Sequence, residues 1–293
     1  ALASHLINKL CKRFNFKFAL VNSIESRVVL PALAVNSVAG ICLIHEFASV
    51  YACPKDIFEE VLSWPGELVF STNLVLENAI DKCPAFGYRS THIIPQGRCI
   101  LPLEQLTEDQ LQLERERIRR LVRPEDSADN TVVVLGVGSV HVRKGVDLFI
   151  QCAARVVRSP GGEKCRFVWI GKGYEPDKDT LYSVYLLDQI RRSGLEEHVF
   201  FVDETAAIES GYEEADLFLV TSRLDPLPNV AIDSMAHGVP VLCFNKVTGI
   251  ADFLIDSDLG NYCVAEYLDS ADMADKVLAL VKFRVLREKV GNL

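Results

Sequence analysis

The stretch Thr131-Val132-Val133-Val134-Leu135-Gly136-Val137-Gly138-Ser139-Val140-His141-Val142-Arg143-Lys144-Gly145 decides how this chain folds. A run of β-branched and aliphatic residues ends in two glycines and gives way to a helical pattern, the sequence form of a strand turning into a helix beside a parallel sheet. Working outward, CRFVWIG (165–171), HVFFVD (198–203), DLFLVTS (216–222), PVLCF (240–244) and NYCVA (261–265) read as further strands with helical patterns between them. Together they predict a complete Rossmann-like unit. Upstream, strands are expected at 16–21, 41–45, 68–71 and 92–95, with helices near 24–36, 55–63 and 73–81. Between 97 and 130 a charged helix (TEDQLQLERERIRRLV) and a polar turn-former (PEDSADN) read as a linker. The fold class is α/β, with a thin Rossmann-like domain at 1–125, a fuller one at 126–293, and a hinge in the linker of 98–130.

Bulk properties narrow the function. The formal charge is −9 with no Lys/Arg run, so nucleic acid has no electrostatic anchor and is not expected as a partner. Nine cysteines, an odd number without CxxC pairing, read as reduced thiols and point to a cytoplasmic setting. No apolar run approaches the roughly 18 residues of a membrane span, so membrane contact is expected to be at most peripheral, at the inner face. The chain opens at Ala1 without Met, directly into a helix-like stretch, and stops at Leu293 just after a charged helical pattern, so truncation at both ends is expected.

The loop from Gly136 to Gly145 falls at a strand end, where ligands of open α/β sheets bind. Gly136 and Gly138 permit close approach to the backbone, Ser139 lies between them and the cations, and Arg143 and Lys144 place two positive charges on the same loop. A diphosphate suits it; a tight turn with two solvated cations is the plain alternative. A dinucleotide is disfavoured, because His141 replaces the third glycine of GxGxxG and the strand ending Trp169-Ile170-Gly171 lacks the acid that grips ribose. Gly171-Lys172-Gly173 is a second glycine pair, either a turn or part of a site.

A second informative stretch is SRLDPLPNVAIDSMAHGVPV (222–241). Asp225 falls in a loop after a strand, Pro226 and Pro228 suit a helix start, Asp233 falls inside the helix, and Gly238 ends it. Both carboxylates are expected to line one cleft as acceptors for sugar and ribose hydroxyls, and the helix's amino end favours a phosphate. On spacing alone, a capping Asp225 and a solvated Asp233 account for the pattern equally well.

These residues resemble the GT-B glycosyltransferases of the retaining family 4 type. The resemblance rests on G-x-G-(x)4-R-K-G-x-D (Gly136 to Asp147) followed by S-R-x-[acid]-x-x-P-N-V-x-x-[acid]-x-M-A-x-G-x-P-V. In the first domain, Asn22-Ser23, Leu43-Ile44-His45-Glu46-Phe47 and Ile94-Pro95-Gln96-Gly97 resemble matching strand ends more weakly. The resemblance implies two Rossmann-like domains facing each other across a cleft, a nucleoside-diphosphate sugar as donor, a glycan or glycolipid acceptor, and no metal or other cofactor. It implies that Arg143 and Lys144 neutralise the diphosphate, that Asp225 contacts the transferred sugar, that Asp233 holds the ribose, and that His45 faces the donor sugar. Gly136, Gly138, Ser139, Gly171, Pro228, Asn229 and Val230 complete the expected donor contacts, and His141 and His237 are expected to be structural.

The chain departs from the family at both acidic positions, which are Asp where the family usually has Glu, and at Thr248–Leu254, where Gly249 alone is left to offer backbone amides to the diphosphate. A sugar-nucleotide epimerase on the same fold and a non-catalytic sugar-nucleotide binder remain the competing classes. Assembly of cell-surface polysaccharide or glycolipid is the expected setting.

Overall fold

The computed structural model describes residues 2–62, 64, 66–98, 106–128 and 130–291. Ala1, Leu293 and positions 99–105 of the linker lie outside the described residues. The chain divides into two compact units, Ala1–Gln96 and Gly97–Leu293.

In the first unit, β1 (Ala19–Asn22), β2 (Gly40–Ile44), β3 (Glu67–Phe70) and β4 (Thr91–Ile93) form a parallel sheet in that order, with Val21 opposite Cys42 and Cys42 opposite Leu68. Parallel neighbours require crossovers, which helices Leu30–Val35, Pro54–Leu62 and Asn73–Lys82 supply. The helix expected over 24–36 is broken in two. Ile24–Val29 is a 3-10 turn, and the α-helix restarts at Leu30 with Pro31 in its first turn, where a missing N–H is not needed. Cys42, Ile44, Leu68 and Phe70 are buried, and Phe86 packs edge-on against Phe58 and Phe70 at 5.5 and 5.8 Å.

The second unit holds β5 (Val132–Val137), β6 (Cys165–Ile170), β7 (Val199–Val202), β8 (Leu217–Val220), β9 (Val241–Phe244) and β10 (Val264–Ala265). They pair in parallel in the order β10-β9-β8-β5-β6-β7. This is the doubly wound order, with its switch point between β5 and β8, where Val134 lies opposite Leu217. Val132 to Leu135 and all of β8 and β9 are buried on both faces, which is why these segments read as unbroken apolar runs. The strand expected over 261–265 is only two residues long, because Gly260–Cys263 closes into a helical turn first.

This division differs from the boundary expected at 125/126. Helix Glu108–Val122, opened by a Thr107/Gln110 capping box, buries Leu111, Ile118 and Val122, and the last two join the core of the second unit. Polar contacts tie it to the same unit: Thr205 donates to Glu114 at 2.6 Å, and Arg119 pairs with Glu213 at 2.7 Å. The charged segment is therefore part of the second unit.

Candidate functional site

The turn after β5 and the turn after β8 leave neighbouring strands at the switch point, so residues that follow Val137 and Val220 are brought together by topology. The β5 turn is anchored on the β6 turn. The amides of Gly138 and Val140 donate to Ile170 O (3.0 Å) and Lys172 O (2.8 Å), and Trp169 Nε1 donates to Gly138 O (2.8 Å). Gly171 donates its amide to Val202 O at 2.9 Å, so the amides of both Gly138 and Gly171 are taken by protein carbonyls. Gly136 is buried, and a Cβ there would lie 2.4 Å from the Trp169 ring. Its missing side chain makes room for the Trp169 ring.

His141 accepts from the Arg143 amide at 3.0 Å and so starts the 3-10 turn Val142–Lys144, the structural role expected of it. Gly145 then enters helix Val146–Val157 with φ 67°, and a Cβ at this position would lie 1.9 Å from Thr221 O. Only glycine satisfies both the left-handed backbone and the close passage of the two turns.

That close passage sets Arg143 and Lys144 on the buried Asp225. Lys144 Nζ donates to Asp225 Oδ2 at 2.5 Å and Arg143 Nη1 to Oδ1 at 2.9 Å, while Ser222 Oγ donates to Oδ2 at 3.0 Å. The Asp225 amide donates to Val247 O, and the Gly249 amide to Pro226 O, both at 2.8 Å. Gly249 is buried and its amide is already committed, which corrects its expected offer to a diphosphate. Lys144 and Asp225 line one small recess with Val137, Thr221, Pro228 and Val230. Lys144, the acid and the start of helix Asn229–Ala236, which Pro228 opens, thus line one spot, and Arg143 reaches it through Asp225.

A second ionic layer stands beside the first. Arg223 grips Asp147 in a fork, Nη1 to Oδ1 at 2.9 Å and Nη2 to Oδ2 at 2.7 Å, and also donates to Val142 O at 2.7 Å. Tyr182 OH donates to Asp147 Oδ1 at 2.6 Å and accepts from the Asp147 amide at 3.1 Å. Burial works against ionisation of Asp147, but the Arg223 and Tyr182 hydrogen bonds outweigh it and hold the carboxyl below its ordinary range.

Asp233 lies in helix Asn229–Ala236 and pairs with Arg98 Nε at 3.2 Å. His237 receives its cap through Asp233 O, and Gly238 follows with φ 73°, ending the helix as expected. His45 follows β2. Its Nε2 lies 2.9 Å from Asn22 Oδ1, its Nδ1 is buried without a partner among the described residues, and its amide donates to Glu46 at 3.1 Å. Glu46 also receives Ser23 Oγ and the Ile24 amide. Ser139 and Asn229 are exposed.

Reading the sequence assigned no role to Arg98, Asp147, Tyr182, Ser222 or Arg223. Asp147, Ser222 and Arg223 stand inside the two motifs, so a signal for them was present. Nothing marks Tyr182, whose place follows only from the fold.

The model of the family described as "Glycosyl transferases group 1" matches residues 131–282, more than half of the chain. The chain is 26% identical over 234 residues to an alpha-D-kanosaminyltransferase of Streptomyces kanamyceticus, covering 71% of this chain and 58% of that protein. It is 30% identical over 149 residues to a poly(ribitol-phosphate) alpha-N-acetylglucosaminyltransferase of Staphylococcus aureus, covering 51% of this chain and 28% of the relative. The chain thus spans about half the length, or less, of these curated relatives. Among solved structures it is similar to Anabaena HepE in complex with UDP and glucose, at a TM-score of 0.75 and 17% identity, covering 99% of this chain and 74% of that one. TarM superposes at a TM-score of 0.71 with 19% identity, covering 100% of this chain and 53% of the other. These likenesses are of fold, and the fold they share is GT-B. With its doubly wound second unit matched almost from β5 to the end of helix Ser270–Lys282, the chain belongs to the glycosyl transferases of group 1.

Proposed function

We propose that this chain transfers a sugar from a nucleoside-diphosphate donor to a hydroxyl acceptor with retention, in assembly of cell-surface polysaccharide or glycolipid at the cytoplasmic side. The observation that carries this reading is that Lys144, Asp225 and Pro228 at the amino end of helix Asn229–Ala236 line one recess on the switch point, with Arg143 bound to the same Asp225. Two cations against one carboxylate leave a net positive charge, and helix amides add to it. As the donor bond breaks, negative charge grows on the departing diphosphate, and groups placed there stabilise the transition state more than the ground state. Arg143 and Lys144 supply this charge without a metal ion in our proposal. The departing phosphate then accepts the acceptor's proton on the same face.

Asp225 is fully engaged by Lys144, Arg143 and Ser222. Its contact with the sugar therefore calls for an exchange, in which the diphosphate draws the cations and frees a carboxylate oxygen for a sugar hydroxyl. Asp233 exchanges Arg98 for ribose hydroxyls in the same way. His45, oriented through Asn22, is the first unit's candidate for the sugar-side role. That HepE was solved with UDP and with UDP-glucose supports a uridine donor as the first to try.

The test is a thermal-shift screen of the full chain against UDP, GDP, dTDP and their sugars, followed by donor hydrolysis. One nucleotide should raise the melting temperature, and Lys144→Ala should abolish that rise and cut turnover by a factor on the order of a hundred or more. No shift with any nucleotide would remove the reading. A product with inverted ring stereochemistry and no acceptor would reassign the chain as an epimerase, and binding without hydrolysis or transfer as a binder.

A further inference from the structure

Three segments of the second unit meet at one side chain beside the recess. Asp147 belongs to the helix that continues the β5 turn, Arg223 to the turn after β8, and Tyr182 to the segment that follows β6. Arg223 binds both oxygens of Asp147 and Tyr182 binds its oxygen and its amide, so a single carboxylate ties all three turns. The tie reaches the cations directly. Arg223 also holds Val142 O, the residue next to Arg143, and its amide donates to Arg143 O at 2.8 Å. The Tyr182 end is itself fixed, because Asp179 accepts from the amides of Leu181, Tyr182 and Ser183 at 2.9, 3.2 and 2.8 Å.

We propose that Asp147 is a positioning residue for the diphosphate site: through Arg223 and Tyr182 it locks the three turns in the register that aims Arg143 and Lys144 at the donor phosphates. The inference rests on the proposed function, since it names what holds that same site together. It makes a prediction whose sign separates it from plain electrostatics. Asp147 is an anion beside an anion site, so removing its charge alone should tighten phosphate binding. Loosening the cations should weaken it.

The experiment is calorimetric titration of the full chain with inorganic pyrophosphate, which carries the phosphate chemistry without a base or sugar. Circular dichroism and melting curves establish that each variant is folded at the titration temperature. Asp147→Asn should weaken pyrophosphate binding about tenfold despite the lost negative charge, and Arg223→Lys should weaken it similarly despite its retained positive charge. Tyr182→Phe, the mildest change, should weaken it about threefold and keeps the test open if Asp147→Asn fails to fold. The double variant Asp147→Asn with Arg223→Lys should lose no more than the worse single variant, because the two act as one unit. Equal or tighter binding by folded Asp147→Asn, or an unchanged Tyr182→Phe, overturns the positioning role. A different pattern marks failure of the underlying reading. If wild type does not bind pyrophosphate, or Lys144→Ala binds it as wild type does, the recess is not a phosphate site and the inference falls with it.

Discussion

At Asp225 a buried carboxylate holds two cations of a neighbouring turn, and the side chain is a methylene shorter than the Glu that the family usually carries there. A buried ion pair is costly to form and more costly to half-break, so under the proposed function a donor diphosphate shares the Lys144 cation with Asp225 and does not strip it away. Asp233 behaves differently. Its pair with Arg98 is single-pronged, and Arg98 is 40% exposed, so the bond contributes little and is cheap to exchange. The two acids therefore differ in how firmly they are held, Asp225 by two cations and a hydroxyl and Asp233 by one guanidinium, and the proposed function gives the more loosely held one the ribose. That division is measurable. Asp233→Asn should weaken UDP binding by about tenfold, the worth of a hydrogen bond to a charged group, and leave pyrophosphate binding as it is. A loss of equal size for both ligands in parallel titrations would take Asp233 away from the ribose and place it with the phosphates.

Among elements, helix Glu108–Val122 separates what the chain's pattern discloses from what only the fold discloses. Its Glu114 is held at a pKa of about 2, chiefly by the Arg117 hydrogen bond, which overcomes burial, with Thr205 assisting. The folded value lies below the ordinary 4.5, so the charged form is favoured by folding. Its contribution is complete above that ordinary value and is lost as pH falls toward 2. Melting curves of wild type and Glu114→Gln should accordingly converge as the buffer is taken from pH 4.5 toward 2, and a constant gap would mean that the Glu114 charge does not stabilise the fold. The helix itself was legible from its charged periodicity, but its allegiance was not. Leu111, Ile118 and Val122 form a thin apolar stripe on a highly charged segment, and such a stripe does not say which neighbour covers it. The strands of the second unit were legible for the opposite reason, since burial on both faces leaves unbroken runs such as Val132 to Leu135. Of the site, the phosphate-facing turn was legible because glycine and cation types are local signals. The bond from Lys144 to Asp225 and the fork from Arg223 to Asp147 were not, because each joins residues separated by some eighty positions and depends on strand order.

For the whole molecule, the position of that helix decides where an independently stable second unit begins. A fragment covering 97–293 keeps Leu111, Ile118 and Val122 in place, together with the Arg123 guanidinium that binds Asp216 at 2.6 Å beside β8. A fragment starting at 126 removes all of them and exposes the apolar surface of helix Ile208–Glu213 that the helix packs on, as Ile118 lying beside Gly211 illustrates. Each fully buried aliphatic side chain stabilises a fold by about 1.5–3 kcal/mol, as an upper figure. Losing Ile118 and Val122, the two that join the core of the second unit, against a typical stability of about 5–15 kcal/mol, takes a large share of the whole. The longer fragment should therefore melt cooperatively and still bind pyrophosphate through Arg143 and Lys144. The shorter one should melt many degrees lower or fail to stay soluble, although every residue of the recess is present in it. Equal melting temperatures for the two fragments would mean that the helix merely rests on the second unit and that its core closes without it.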